Sequence, residues 1–264
     1  MKTRTIRILT LRFLQTVAIV IAVGMTLTSY AQEYKISKSS GRLVLNTGRV
    51  LVEGTSGNEI IFTSNDHDKD RDERAKGLNE INSLGLSDNT GLGVNVSDKD
   101  NVITVRQLRK MNSPRIRIQV PKGVTVSFEY ESQYGGEAQF KNFEGEIEVS
   151  AQYNSIELEN CSGPVTVKSI YGSVDASFDA NTRGPISIVS VYGHVDVALP
   201  PGIKADLRMS TSYGEIYAAP DFKIDIDRSG DMVRYSDRVS GKINGGGIGI
   251  ELQANYGKVY LRKR

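Results

Sequence analysis

The chain has 264 residues, 33 of them basic and 31 acidic, with one cysteine, two histidines and no tryptophan. So even a charge balance gives no electrostatic reason to expect nucleic acid as a partner, and a single cysteine excludes an intramolecular disulfide framework. The unusual part of the composition is 26 glycines and 12 tyrosines, and these are not scattered.

Residues 1–31 read as an export signal peptide. Lys2, Arg4, Arg7 and Arg12 make a basic start, Thr16 to Leu27 is an apolar run, and Ser29-Tyr30-Ala31 offers a cleavage site before Gln32. The apolar run is shorter than the ~20 residues of a spanning helix, so cleavage is expected in preference to retention as an uncleaved anchor. No cysteine lies near the site to carry a lipid, and no later segment is apolar enough to span a bilayer. Taking the leader's four basic residues from 33 leaves 29 against 31 acidic, a net of −2 for the mature chain. The expected location is outside the cytoplasm, in the periplasm or at the cell surface.

Residues 32–130 read as N-terminal strands around a charged insertion at about 65–90. Tyr34-Lys35-Ile36, Arg42-Leu43-Val44-Leu45, Val50-Leu51-Val52 and Ile60-Ile61-Phe62 alternate or run apolar, punctuated by Gly48, Gly54 and Gly57. Asp66 to Arg74 is almost wholly charged, and a short helix is expected through Glu73 to Ile81. Asp66-His67-Asp68-Lys69-Asp70-Arg71-Asp72 has the look of a calcium loop. However, its sixth position is Arg71 where glycine is needed and its twelfth is Gly77 where glutamate is needed, so a solvated insertion is expected. Strands resume at Leu92-Gly93-Val94-Asn95-Val96, Val102-Ile103-Thr104-Val105, Arg115-Ile116-Arg117-Ile118 and Val124-Thr125-Val126-Ser127-Phe128. Asp98-Lys99-Asp100-Asn101 makes a hairpin turn between the first two.

Residues 131–264 carry a repeat. A Tyr-Gly step occurs at Tyr134-Gly135, Tyr171-Gly172, Tyr192-Gly193, Tyr213-Gly214 and Tyr256-Gly257, with Tyr153-Asn154 where another is due. Successive tyrosines are 19, 18, 21, 21 and 43 residues apart, the last close to two periods. Each period holds two alternating strands. One set starts at glycine (Gly145-Glu146-Ile147-Glu148-Val149, Gly163-Pro164-Val165-Thr166-Val167, Gly184-Pro185-Ile186-Ser187-Ile188), where a positive φ is expected to turn the corner. The other set follows the tyrosine, as in Ser155-Ile156-Glu157-Leu158, Ser173-Val174-Asp175-Ala176 and His194-Val195-Asp196-Val197. A period of this length built from strands and glycine turns predicts an all-β solenoid. The inward side chains of one coil offset too little of its ordering entropy, so neighbouring coils must stack and share a core. Residues 220–240, with Phe222-Lys223-Ile224-Asp225-Ile226, interrupt the register as a projecting strand pair or an irregular coil. Lys258-Val259-Tyr260-Leu261 reads as the last rung, with Arg262-Lys263-Arg264 guarding its exposed edge.

The leader, Asp88-Asn89-Thr90-Gly91-Leu92-Gly93, the Tyr-Gly rungs, and Gly241-Lys242-Ile243-Asn244-Gly245-Gly246 through Tyr256-Gly257-Lys258-Val259-Tyr260-Leu261 resemble a bacterial family. It is the adhesin-like family with β-strand repeats, a domain of unknown function related to auto-transporter adhesin head domains. The resemblance spans most of the mature chain and its motifs are structural. It implies a single-stranded parallel β-helix, right-handed, with an N-terminal strand-rich cap region, in an envelope protein. It supplies no catalytic residues.

Two sets of side chains are candidates for a surface. Tyr134, Tyr153, Tyr171, Tyr192, Tyr213 and Tyr256 are expected to stack along one corner as an aromatic ladder, with a sugar-holding strip as the alternative. Glu157, Asp175 and Asp196, followed by Tyr217 and Tyr260, are the outward residues of the strands after the tyrosines. Three carboxylates one strand apart repel each other, so solvent, a cation or a basic neighbour must offset them. A solvated face is the simplest reading, and no metal or cofactor is expected. Asp175 and Asp196 also suit an acid and base pair by position, but adjacent strand positions offer no lysine or arginine and His194 is the only nearby imidazole. Cys161 sits at a turn with no base beside it, and Gly245-Gly246-Gly247 reads as a turn into Ile248. The function expected is a non-catalytic envelope module, binding or structural, whose partner is a glycan or an envelope protein. A polysaccharide-active enzyme and a stress-sensing partner protein are the alternatives.

Overall fold

The computed structural model describes residues 32–64, 73–75, 77–78, 80–227 and 237–264. The signal peptide and the Asp66 to Asp72 segment lie outside them. In chain order the strands are β1 (Glu33–Ser37), β2 (Ser40–Asn46), β3 (Val50–Thr55), β4 (Glu59–Ser64), β5 (Val94–Lys99), β6 (Val102–Gln107), β7 (Ile116–Pro121) and β8 (Gly123–Tyr130). Then come β9 (Glu137–Lys141), β10 (Ile147–Ala151), β11 (Ser155–Cys161), β12 (Val165–Ser169), β13 (Val174–Phe178), β14 (Ile186–Ser190), β15 (Val195–Leu199) and β16 (Ala205–Thr211). The last five are β17 (Ile216–Ala218), β18 (Ile224–Ile226), β19 (Asp237–Ile243), β20 (Ile248–Ala254) and β21 (Val259–Lys263). Where a helix through Glu73 to Ile81 was expected, a 3₁₀ turn covers Glu73–Ala75, and Ile81 forms an isolated bridge with Ser87.

These strands form two mostly parallel sheets. One runs β1-β4-β7-β3-β9-β11-β13-β15-β21-β17, the other β18-β19-β16-β20-β14-β12-β10-β8-β2-β6-β5. Each rung places one strand in each sheet, and the rungs keep the same order in both: β6/β7, β2/β3, β8/β9, β10/β11, β12/β13, β14/β15, β20/β21, β16/β17. Alternation decides which side chains point inward. In β12, Val165 and Val167 are buried while Thr166 and Lys168 face water, and β13 buries Val174, Ala176 and Phe178. The inward residues of both sheets join in one apolar cluster that runs from Leu43 to Leu261 and includes Phe62, Phe128, Phe140, Phe143 and Phe178. Each such phenylalanine contributes about 1.5–3 kcal/mol when fully buried, and that burial requires neighbouring rungs to cover it.

The rung order departs from chain order at both ends. The rung formed last in the chain, β20/β21, does not end the stack: β20 pairs in parallel with β14 and β16, and β21 with β15 and β17. The expectation of an exposed final edge guarded by Arg262-Lys263-Arg264 is thus overturned. The tail is engaged inside the array, where Arg262 meets Asp196, the Arg264 amide donates to Leu199 O and its guanidinium to Phe178 O. The 43-residue gap between Tyr213 and Tyr256 is a detour: β19 adds antiparallel to the β16 edge, β18 pairs antiparallel with β19, and the chain turns back after β19. Asn244, Gly245 and Gly246, with φ of 51°, 86° and 88°, make that turn around the start of β16. The N-terminal half mirrors this, with β2/β3 lying inside β6/β7.

Antiparallel strands close the array. β1 pairs with β4, β4 with β7, and β5 with β6, whose hairpin turn at Asp100 and Asn101 takes φ of 52° and 64°. Beside β5, Asp88 accepts hydrogen bonds from the amides of Thr90, Gly91 and Gly93 and from the Thr90 hydroxyl, while the Asn89 side chain bonds both the N–H and C=O of Val96. That explains the Asp-Asn-Thr-Gly-Leu-Gly motif as a hydrogen-bonded cap on the sheet.

The corner glycines serve close approach. A Cβ on Gly172 would lie 1.7 Å from Asn154 O, and one on Gly214 would lie 1.8 Å from Gly257 O. Among the strand-start glycines only Gly184 has the expected positive φ, at 85°; a Cβ on Gly163 would instead sit 2.1 Å from Gly145 O. Gly172→Ala should therefore lower stability by about 1–3 kcal/mol or more. Gly202→Ala, where nothing lies within 4 Å, should stay near neutral in denaturant melts. The rung order has its own test. Cysteines replacing Tyr192 and Tyr256 should form a disulfide on mild oxidation, whereas cysteines replacing Tyr192 and Tyr213, about two strand spacings apart, should not.

Candidate functional site

The strongest surface feature is the corner where each strand of the β14 sheet passes to its partner. Ser169, Ser190 and Thr211 occupy equivalent inward positions at the ends of β12, β14 and β16 and are almost fully buried. Their hydroxyls accept the N–H of Gly172, Gly193 and Gly214, and those of Ser190 and Thr211 donate to Gly172 O and Gly257 O in the adjacent rung. Each turn is thus held from inside, and the tyrosine just before the glycine points out. The signal was present in the sequence as a Ser or Thr three residues before each of these glycines.

The tyrosines stack in spatial order Tyr153, Tyr171, Tyr192, Tyr256, Tyr213. Centroid spacings are 4.8, 5.1, 5.0 and 4.9 Å, with interplanar angles of 15°, 6°, 10° and 6°. Tyr256 enters between Tyr192 and Tyr213 because its rung does. Since Tyr171, Tyr192 and Tyr256 have a tyrosine on each face, the ladder presents ring edges and hydroxyls outward. Tyr134 stands off this column, with Lys110 Nζ 5.8 Å from its centroid. The reason is turn length. Tyr130 pairs with Ala151 and Glu137 with Ser155, so six residues span a corner that needs three in the next rung. Asn154 fills the space this leaves: it is fully buried, its Nδ2 donates to Gly48 O at 2.8 Å, and its Oδ1 lacks a protein partner.

The second column is in register along the adjoining strands as Gln139, Glu157, Asp175, Asp196, Tyr260 and Tyr217. Its carboxylates are engaged. Gln139 Nε2 donates to Glu157, and His194 Nε2 lies 3.0 Å from Asp175 Oδ1. Arg262 Nε and Nη2 form a fork on Asp196, with the shortest contacts at 2.7 Å. The absence of a basic residue near Asp196, read from neighbouring repeats, is corrected by the inserted rung, which carries Arg262 to a diagonal position. Its guanidinium pKa is raised above its ordinary value, chiefly by hydrogen bonding to Asp196. Tyr260 and Tyr217 stack at 5.4 Å and 11°, with Arg262 over Tyr260 and Lys258 over Tyr217. Lys258 also pairs with Glu215 at 3.3 Å.

Among the described residues no group of three or more His, Cys, Asp or Glu side chains could hold a metal ion. No helix among them is long and apolar enough to cross a membrane. At the opposite corner an open depression of about 390 Å³ is lined by Glu144, Ser162, Asp179 and Arg183, among others. Cys161 is buried in the core, its Sγ 3.6 Å from Phe140 O, and burial pushes its thiol pKa up to about 12.

No known protein family matches the sequence, and no curated protein does either. Among solved structures, a "putative cell adhesion protein" from Clostridium sporogenes is similar, with 14% identity and a TM-score of 0.47, over 89% of this chain and 100% of that one. A "putative adhesin" from Bacteroides fragilis has 11% identity and a TM-score of 0.32, over 90% of this chain and 98% of that one.

The thiol yields a prediction with a definite sign. Folding raises this acid's pKa from 9.0 to about 12, so its contribution to stability is complete below 9.0 and fades as pH rises through that window. At mildly alkaline pH the native protein should therefore resist iodoacetamide. Mass spectrometry should show one adduct only after denaturation.

Proposed function

We propose that the chain is an exported, non-catalytic module of the bacterial cell envelope that binds or spaces other envelope components, in the manner of an adhesin. Its rungs are read as successive turns of a single-stranded parallel β-helix. The right-handed form is favoured because parallel strands of one sheet are joined by right-handed crossovers in nearly all proteins. The basic leader and cleavage motif support export, and the Tyr-Gly and Asp-Asn-Thr-Gly-Leu-Gly motifs support the adhesin-like reading. Residues 32–130 are taken as continuous with the repeats of 131–264.

One observation carries the non-catalytic reading. The carboxylate pair that position suggests for acid and base work, Asp175 and Asp196, is engaged on an open face by His194 and by the Arg262 fork. Both oxygens of Asp196 are taken up by the Arg262 fork, so neither is free to exchange a proton with a substrate. A glycan or an envelope protein is the partner this surface suits.

The purified exported protein, immobilised and challenged with envelope polysaccharides and proteins, should retain at least one of them unchanged. Release of shortened polysaccharide, abolished by Asp175→Asn or Asp196→Asn without loss of the fold, would instead establish an enzyme.

A further inference from the structure

The geometry points to the tyrosine row as the binding surface for an uncharged, extended polysaccharide that lies along the stack with one sugar residue per rung. This rests on the envelope-binding reading and names its ligand class and site.

The warrant is a match of repeats. Near-parallel rings spaced at 4.8 to 5.1 Å put equivalent atoms of neighbouring tyrosines one strand spacing apart. Five phenol hydroxyls therefore form a straight row of roughly 20 Å, four strand spacings long. A diequatorially linked pyranose chain in its extended form advances by about one such spacing per sugar. Successive sugars of such a chain are turned by about half a turn, so the row meets one edge of a sugar and then the opposite edge of the next. Each phenol hydroxyl, both donor and acceptor, can bond the hydroxyls of either edge. A helically coiled, axially linked chain drifts out of step after one or two contacts.

Ring stacking of sugars is a poorer use of this row, because the interior faces are already covered by neighbouring tyrosines. Exposure suits the proposed mode: the five side chains are 43% to 75% accessible. Two positions beyond each tyrosine stand Ser155, Ser173, His194, Lys258 and Glu215, none of them buried, which gives the row a second line of polar groups along one side. Charge selects an uncharged occupant. Lys258 is balanced by Glu215, Asp196 by Arg262, and Asp175 is hydrogen-bonded to His194. A uronic acid polymer would find no unpaired cation in that line.

The test uses the full exported protein and soluble β-1,4-linked oligosaccharides of one to about six sugars, with an α-1,4-linked series as comparison. Affinity should climb with length and level off at about five sugars, one for each stacked ring. The combined variant Tyr171→Phe, Tyr192→Phe, Tyr256→Phe keeps the stacked rings and removes three central hydroxyls. It should lose about tenfold or more in affinity while its thermal midpoint holds. Undiminished binding by this variant, equal affinity for the α-linked series, or a plateau at a single sugar overturns the row as the site. Capture of an envelope protein with no polysaccharide bound defeats this inference and leaves the envelope-binding reading standing. Capture of nothing defeats both.

Discussion

Successive rungs touch through their backbones at the corner glycines, and that contact governs the rest of the molecule. A Cβ on Gly193 would lie 2.4 Å from Gly172 O, and one on Gly257 would lie 2.1 Å from Gly193 O, so main chain rests on main chain from rung to rung. This closeness keeps successive strands of each sheet at hydrogen-bonding distance on either side of the corner. Ser169, Ser190 and Thr211 secure it from inside, where an unbonded amide would be costly. The tyrosine before each glycine then has one place to go, and the ladder is set by the corner.

The same constraint accounts for where regularity fails. The longer turn between Tyr130 and Glu137 bows the corner outward and removes Tyr134 from the column. Asn154, in the position glycine holds elsewhere, can keep its side chain because that space exists. It reaches across to Gly48, whose carbonyl accepts a hydrogen bond from the Asn154 Nδ2.

Parallel arrays also need ends, because an open strand edge invites another chain. Here the chain reverses direction near its ends: β1, β4 and β5 at one end and β18 and β19 at the other run antiparallel to their neighbours. β17, at the remaining edge, is only three residues long. Reversal demands that the chain come back, and the last rung returns between two existing ones. That return brings Arg262 beside Asp196 and places Tyr256 within the ladder. The surface proposed for binding is therefore completed by residues far apart in sequence.

Much of this architecture was legible in one dimension. Alternation of apolar and polar residues identified the strands, because inward and outward faces arise from a period of two in any extended chain. The Tyr-Gly interval identified the rung, because every rung meets the same corner. Column membership on the outer face, from Glu157 through Asp175 and Asp196 to Tyr260 and Tyr217, was readable for the same reason. What the chain could not declare locally was the order of rungs. Strands with equivalent valines, glycines and tyrosines can pair in several orders, so periodicity alone favours simple succession. The choice was made by contacts that exist only once the chain is folded: β19 against β16, the Asn244 turn around its start, and Arg262 on Asp196. Tertiary structure thus decided which tyrosines touch and which charges meet, since each depends on a neighbour that local sequence does not specify.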